Sequence, residues 1–446
     1  MAFRSSRRTF LAAAGAAGAA VAVGALPARS RGADANGKLR VVSIGTGGKG
    51  RSDLEETAKS DRVEVVGLCN VEQNKEHFGW AVEKFPKAKQ YKDWRKVLDD
   101  AGSFDAVIVS TPDHMHAPIA LPAMVLGKHV YCQKPLTHTV NEARQMREAA
   151  AKFKVVTQMG NQIHSHAVYR TAVKLVHSGA IGKVREVHSW QSGKLGWMLV
   201  DDRPTGSDPV PGSLDWDAWL GVAPERPYKD KIYAPFNWRA WQDFSSGQLG
   251  DFGCHILDPV FSALKLSAPK TIVAESTPMN SEVWMKSCTV SYQFPGNELT
   301  AGPSLPVTWY DGEGKMPTHE KLGLPKETKL PGSGSALLGD KGTLLIPHVA
   351  PPQLLGEKVK DTKIEMEEHR NHYTDWAHAC LGDGKATSNF DYSGPLTETV
   401  LLGIVASRLA GEALTWGAAE GLVKDNSKAN SLLTKPYRKG WEPKWI

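Results

Sequence analysis

Hydrophobic and polar positions along the chain fall into two rhythms. From Leu39, short apolar β-branched runs alternate with stretches of helical period. Leu39–Gly45 (LRVVSIG), Val63–Asn70 (VEVVGLCN), Phe104–Thr111 (FDAVIVST), His129–Gln133 (HVYCQ) and Val155–Gly160 (VVTQMG) read as buried parallel strands. Asn74–Phe85, Met115–Leu126 and Val140–Phe153 read as the helices between them. Repeated β-α-β units with short connections predict an α/β domain over residues 36–160, a Rossmann-type doubly wound parallel sheet. After Gly160 the alternation stops. A helix over His166–Ser178 and a strand over Lys183–Ser192 lead into a Pro-, Asp- and Trp-rich stretch, Gly193–Gly247. A helix from Asp251, strands such as Ser287–Phe294 and Gly342–Ile346, and helices near His372–Cys380 and Thr397–Leu414 follow. Residues 161–446 therefore read as a second, α+β domain with an antiparallel sheet.

Residues 1–35 have the composition of an address. Ser6-Arg7-Arg8-Thr9-Phe10-Leu11 precedes an Ala/Gly-rich apolar run to Leu26, and Ala33-Asp34-Ala35 suits cleavage. The arginine pair followed by Phe-Leu resembles a twin-arginine export signal, which places the mature protein in the periplasm or otherwise outside the cytoplasm. An ordinary secretory leader and a short anchor are the alternatives. The mature part holds no stretch that reads as a stable membrane span.

Charge alters the picture little. The chain carries +6, but Arg4, Arg7, Arg8, Arg29 and Arg31 lie in the first 35 residues. The remainder is nearly neutral and shows no basic stripe, which argues against nucleic acid as a partner. Five widely spaced cysteines (Cys69, Cys132, Cys254, Cys288, Cys380) without a CxxC pair read as core residues. They suggest neither a disulfide framework nor a metal site.

Candidate chemistry clusters at strand ends. Gly45-Thr46-Gly47-Gly48-Lys49-Gly50 is a G-x-G-x-x-G turn between the first strand and the next helix, the pattern that cradles a dinucleotide pyrophosphate. At the end of the second strand Asn70, with Glu72 beyond it, stands where an acid would meet the adenosine ribose. This favours NAD and leaves NADP possible; a turn cap is the plainer role for Asn70. Ser110, Thr111, Pro112, Asp113 and His114 follow the third strand and are expected to line the cofactor, with His116 structural. Gln133-Lys134-Pro135 ends another strand, where a lysine can hold a substrate hydroxyl. Asp251, His255 and Asp258 are spaced to share one helix face, apart from the apolar stripe of Phe252, Ile256, Val260 and Leu264. Asp251 is expected at the helix start, where the dipole favours a carboxylate, and His255 as the base that takes a hydroxyl proton while Asp251 tunes it. A helix cap plus one buried histidine is the alternative.

Taken in order, IGTGGKG, VSTPDHMHA, GKHVYCQKPL and GDFGCHILD resemble the glucose–fructose oxidoreductase / inositol dehydrogenase (Gfo/Idh/MocA) family. The resemblance implies Lys134, Asp251 and His255 as the active site, from the family's E-K-P and D-x-x-x-H motifs. It also implies a C-terminal domain with a large, open, mainly antiparallel sheet, and a homo-oligomer, dimer or tetramer. Gln133 and Asn70 depart from the family's usual Glu and Asp. Gly160-Asn161-Gln162-Ile163-His164 resembles the segment that opens the substrate domain in some relatives, which points Gln162 and His164 at substrate. Of the six tryptophans Trp190, Trp197, Trp216, Trp219, Trp238 and Trp241, one or more is expected to stack on a sugar ring, with Arg239 beside Trp238 and Trp241 as an anion ligand or a loop tie. The function expected is hydride transfer from a sugar, polyol or glycoside hydroxyl to a tightly held cofactor. A redox-neutral glycosidase working by transient oxidation and elimination, and a cofactor-binding sensor without turnover, are the alternatives.

Overall fold

The structure, a computed structural model, describes residues 37–193 and 200–442. The export-type segment and Trp197 lie outside the described residues. Six parallel strands build the first sheet: β1 (Leu39–Ile44), β2 (Val63–Cys69), β3 (Lys89–Tyr91), β4 (Ala106–Val109), β5 (His129–Cys132) and β6 (Thr157–Met159). Their order is β3-β2-β1-β4-β5-β6, so the order of strand addition reverses between β1 and β4, which still run parallel. Ligands of open α/β sheets bind at that reversal, outside the carboxyl ends of the strands. β4 and β5 are buried throughout, as strands covered on both faces must be. Helix α1 (Lys49–Thr57) follows β1, α2 (His116–Val125) follows β4, and α3 (Val140–Phe153) opens on a capping box between Thr139 and Glu142.

Helix α4 (Ala167–His177) leads to the second sheet. Its nine strands are β7 (Val184–Gln191), β8 (Thr271–Ser276), β9 (Cys288–Pro295), β10 (Ser304–Asp311), β11 (Ser333–Gly339), β12 (Thr343–Pro347), β13 (Gln353–Leu355), β14 (Leu414–Gly417) and β15 (Leu422–Val423). They run β13-β12-β11-β7-β10-β9-β8-β14-β15, and only the β7–β10 pair is parallel. Helices α5 (Gly247–Ile256) and α6 (Asp258–Leu264) precede β8; α7 (His372–Cys380) and α8 (Phe390–Ser407) come late in the chain. α8 packs on α3, α5 and β8. It is buried along nearly its whole length because it touches the first layer and the second at once. α7 returns to the first layer, where Tyr373 stacks on Tyr131 at 5.6 Å.

Two helices differ from the sequence expectation in their bounds, one of them with chemical consequences. The last long helix begins at Phe390, capped by Asn389, and ends at Ser407, because Leu414–Gly417 joins the sheet as β14. α5 begins at Gly247, so Asp251 sits in its second turn, beyond the reach of the positive end of the dipole. The helix also closes at Ile256 and restarts at Asp258, which breaks the shared face expected for Asp251, His255 and Asp258.

Candidate active site

The glycine turn has the shape of a phosphate cradle. Gly45 has φ +88°, and a Cβ there would strike the carbonyl oxygen of Ser110. A Cβ on Gly50 would strike the carbonyl oxygen of Gly45, so α1 can approach β1 closely only with glycine at that position. No side chain caps the N-terminus of α1, and a Cβ on Gly48 would meet nothing within 4 Å. A helix N-terminus without a side-chain cap, beside open space at Gly48, fits a pyrophosphate. Thr46 donates its hydroxyl to the carbonyl of His77 at 2.7 Å. The Asn70 amide reaches Thr46 Oγ1 and the same His77 carbonyl, both at 3.1 Å, and its Oδ1 accepts from the Glu72 N–H. Asn70 thus braces the loop and caps the turn with the same side chain.

Three of the expected cofactor segments converge on a residue the sequence reading passed over. Asp53, fully buried on α1, accepts from Ser110 Oγ at 2.7 Å, from Gln133 Nε2 at 2.8 Å, and from the Lys49 ammonium. Lys49 is therefore turned inward, with Tyr373 Oη as a further partner at 2.9 Å, and does not reach over the loop toward phosphate. Gln133 donates to a buried carboxylate, which a glutamate there could do only in protonated form. The signal for Asp53 lay in its position one turn after Lys49, a charged residue on the inner face of the first helix.

His116 lies between the carbonyls of Thr111 (2.9 Å) and Pro135 (2.8 Å), which ties the third-strand loop to the Lys134–Pro135 corner. His114 is a core residue, contrary to the cofactor-lining expectation. It is buried between Trp219 and Phe244, with ring centroids at 5.9 and 5.2 Å. Burial, followed by the Lys435 charge, pushes its imidazole down to about 3. The Thr111 hydroxyl is buried without a partner and stays available.

Lys134 reaches from the end of β5 to α5, where its ammonium pairs with the Asp251 carboxylate and donates to the Asp251 carbonyl at 3.0 Å. Arg239 Nε approaches the same carboxylate at 3.4 Å. Burial alone would raise the Asp251 carboxyl, but Lys134 and Arg239 outweigh it and hold it at about 2. Asp251 is thereby spent on two cations and makes no hydrogen bond to the Nδ1 of His255, which is buried without a partner. Asp251 acts on His255 through charge and Lys134, a correction to its expected role as a direct orienter. Burial first, then the Lys134 charge, push the His255 imidazole well below its usual range, so it is a neutral base.

Asp113, beside this group, accepts the Ser246 N–H at 3.0 Å. Burial, then the Asp251 charge, raise it to about 7. Between about pH 4 and 7 the folded protein therefore keeps a proton that the unfolded chain has lost, and stability falls as pH rises through that window. Asp113→Asn is expected to remove this component. Urea unfolding of both proteins at pH 5 and pH 7 measures it, and an unchanged difference between the two pH values would contradict the assignment.

The residues expected on the substrate side divide. Gln162 presents a buried, unpartnered Oε1. His164 Nδ1 lies 2.9 Å from Asp258 Oδ1, and that carboxylate also accepts from Asn161 at 3.0 Å and Tyr392 at 2.7 Å. Asp258, expected beside Asp251 and His255, serves His164 instead. Arg239 lies over Trp238 at 4.2 Å and Phe236 at 4.5 Å, and Phe236 is 52% exposed. Trp216, Trp219 and Trp241 join Tyr233 and Phe244 in an internal aromatic cluster, and Trp190 is buried in the second sheet. The tryptophan-rich stretch is thus mostly packing; Trp216 and Trp238 are half-buried, and Trp238 carries Arg239, which reaches Asp251. All five cysteines are buried and unpaired. Among the described residues no cluster suits a metal ion, and no helix is long and apolar enough to cross a membrane.

The glycine cradle at the carboxyl edge of a doubly wound parallel sheet is that of an NAD-binding Rossmann domain. The chain belongs to the Gfo/Idh/MocA oxidoreductase family: the family's NAD-binding Rossmann-fold model matches residues 39–161, and its C-terminal alpha/beta-domain model matches residues 166–293. The chain is 28% identical over 188 residues to a levoglucosan dehydrogenase of Pseudarthrobacter phenanthrenivorans, covering 42% of this chain and 40% of the relative. It is 37% identical over 142 residues to a glycosyl hydrolase family 109 protein of Stenotrophomonas maltophilia, covering 29% and 30%. The match thus spans less than half the length of these curated relatives. The WlbA dehydrogenase of Bordetella pertussis, solved with NADH and UDP-GlcNAcA, superposes with a TM-score of 0.58 at 16% identity, over 85% of this chain and 99% of that one. This last likeness is one of fold.

Proposed function

We propose that the protein oxidises a secondary hydroxyl of a sugar, polyol or glycoside, with NAD as a tightly held acceptor. The observation that carries this reading is the placement of Lys134, Asp251 and a neutral His255 together at the carboxyl edge of the parallel sheet, beside an open phosphate cradle. When bound, the nicotinamide supplies a hydride acceptor. Lys134, anchored by Asp251, donates to the substrate oxygen and stabilises the charge that develops there. His255 takes the hydroxyl proton. Trp238 and Phe236 offer faces for a sugar ring, with Arg239 between them and Asp251. The partly buried Glu72 carboxylate beside Asn70 favours NAD over a 2′-phosphorylated cofactor.

The twin-arginine-type leader supports export of a folded, loaded protein, and scarce external cofactor favours retention through the cycle. Purified mature protein, denatured after isolation without added cofactor, is expected to release NAD(H) near one equivalent. Levoglucosan or glucose should then reduce the bound cofactor. An empty protein that binds neither NAD nor NADP would overturn the reading.

The family 109 likeness favours the redox-neutral glycosidase as a second reading. Release of p-nitrophenol from p-nitrophenyl glycosides without net NADH would select this reading.

A further inference from the structure

A buried base that takes a proton beside a lysine must also lose it. A charged His255 ring would sit near Lys134 in a site that already pushes its imidazole strongly toward the neutral form. Its Nδ1 is buried without a partner. The ring facing it is that of His348, just past the end of β12, with centroids 5.8 Å apart and planes at 41°. His348 is held in place by its backbone N–H, which donates to the Ser333 carbonyl at 3.0 Å, and by contact with Phe252. Its Nδ1 lies 2.8 Å from the hydroxyl of Tyr169 on α4. Tyr169 in turn lines an open cavity of about 500 Å³, together with His164, Lys174, His177 and Glu367. Lys134, Asp251 and His255 do not line that cavity. The Tyr169–His348 pair therefore links His255 to an open cavity large enough to hold water.

We infer that His348 and Tyr169 form a proton relay that carries the hydroxyl proton from His255 out to this cavity, an inference that rests on the alcohol-oxidising reading above. In the step, the substrate O–H bond breaks and its proton joins His255 Nε2, while the carbinol C–H electron pair leaves as hydride to the bound NAD. His255 gives up its Nδ1 proton to His348 Nε2, directly after a small ring displacement or through one water. His348 Nδ1 passes its proton to the Tyr169 oxygen, and the Tyr169 hydroxyl proton goes to water in the cavity. Each imidazole exchanges one tautomer for the other, so no buried ring remains charged, and one proton reaches solvent for each hydride transferred. His348 and Tyr169 act through His255 and do not touch substrate.

The test compares the wild type with Tyr169→Phe and His348→Ala, using levoglucosan and glucose as probes and NAD reduction as the signal. Both variants are expected to lose roughly ten- to a hundredfold in kcat, with KM and NAD affinity close to wild type. Their solvent deuterium isotope effect should rise, and added imidazole should restore part of the His348→Ala rate. In the substrate-free protein, 15N spectra of labelled histidine should show the His255 tautomer balance shifting in Tyr169→Phe, although Tyr169 does not touch His255. A wild type that reduces NAD alongside variants with unchanged kcat, isotope effect and 15N signals overturns the relay alone. A wild type that transfers no hydride from either probe overturns the oxidising reading and the relay with it.

Discussion

Gln133→Glu is expected to destabilise the protein and to cost cofactor affinity, although glutamate is the residue its family usually carries there. In this chain Gln133 donates at 2.8 Å to Asp53, which is fully buried. A glutamate would place a second carboxyl against the first, and one of the two would have to stay protonated. Holding a glutamate neutral at pH 7 costs roughly 3–4 kcal/mol. The same carboxylate holds Ser110 and Lys49, so the strain would pass to the glycine turn and to the loop after β4. Asp53→Asn combined with Gln133→Glu keeps one buried negative charge beside Lys49 and restores a donor facing an acceptor. The double variant should therefore recover most of what the single one loses, a coupling that urea unfolding and NAD titration would measure as a cycle. A single variant as stable as the parent would show that Asp53 does not govern residue 133.

Lys134→Ala is expected to lower kcat by roughly a thousandfold, with NAD affinity changed only a few-fold. The ammonium contacts α5 and the substrate side, while the phosphate cradle is built from β1, α1 and their neighbours. Asp251 would keep Arg239 as a partner, so loss of fold is not expected. Lys134→Arg should rescue little, because a planar guanidinium cannot take the place of a compact ammonium between a carboxylate and a substrate oxygen. Measuring kcat with bound NAD and sugar, beside NAD titration, separates the two effects. A Lys134→Ala protein with wild-type turnover would remove Lys134 from the chemistry.

The parallel sheet and its ligand edge were legible because their signals are local. Short β-branched runs bounded by turn residues read as buried strands, and glycines at Gly45 and Gly50 are demanded by collisions with Ser110 and with Gly45 itself. Lys134 was legible as the end of such a strand. Asp53 and His348 were not, because their meaning comes from partners far away in sequence: Gln133 for one, His255 and Tyr169 for the other. The tryptophans could not be sorted by sequence for the same reason. An indole that stacks on a sugar and one that packs on Phe244 read alike until burial separates them.

The chain's own text therefore determined the element types of the first layer, the glycine cradle, and the presence of Lys134 and His255, the pair proposed for alcohol oxidation. Tertiary structure decided which groups act together. It broke the helix between His255 and Asp258 and gave one acid to Lys134 and the other to His164. It also turned Lys49 inward. Periodicity fixes the face of a helix only while the helix continues, and a charged side chain follows whichever partner the fold brings within reach of its own burial cost.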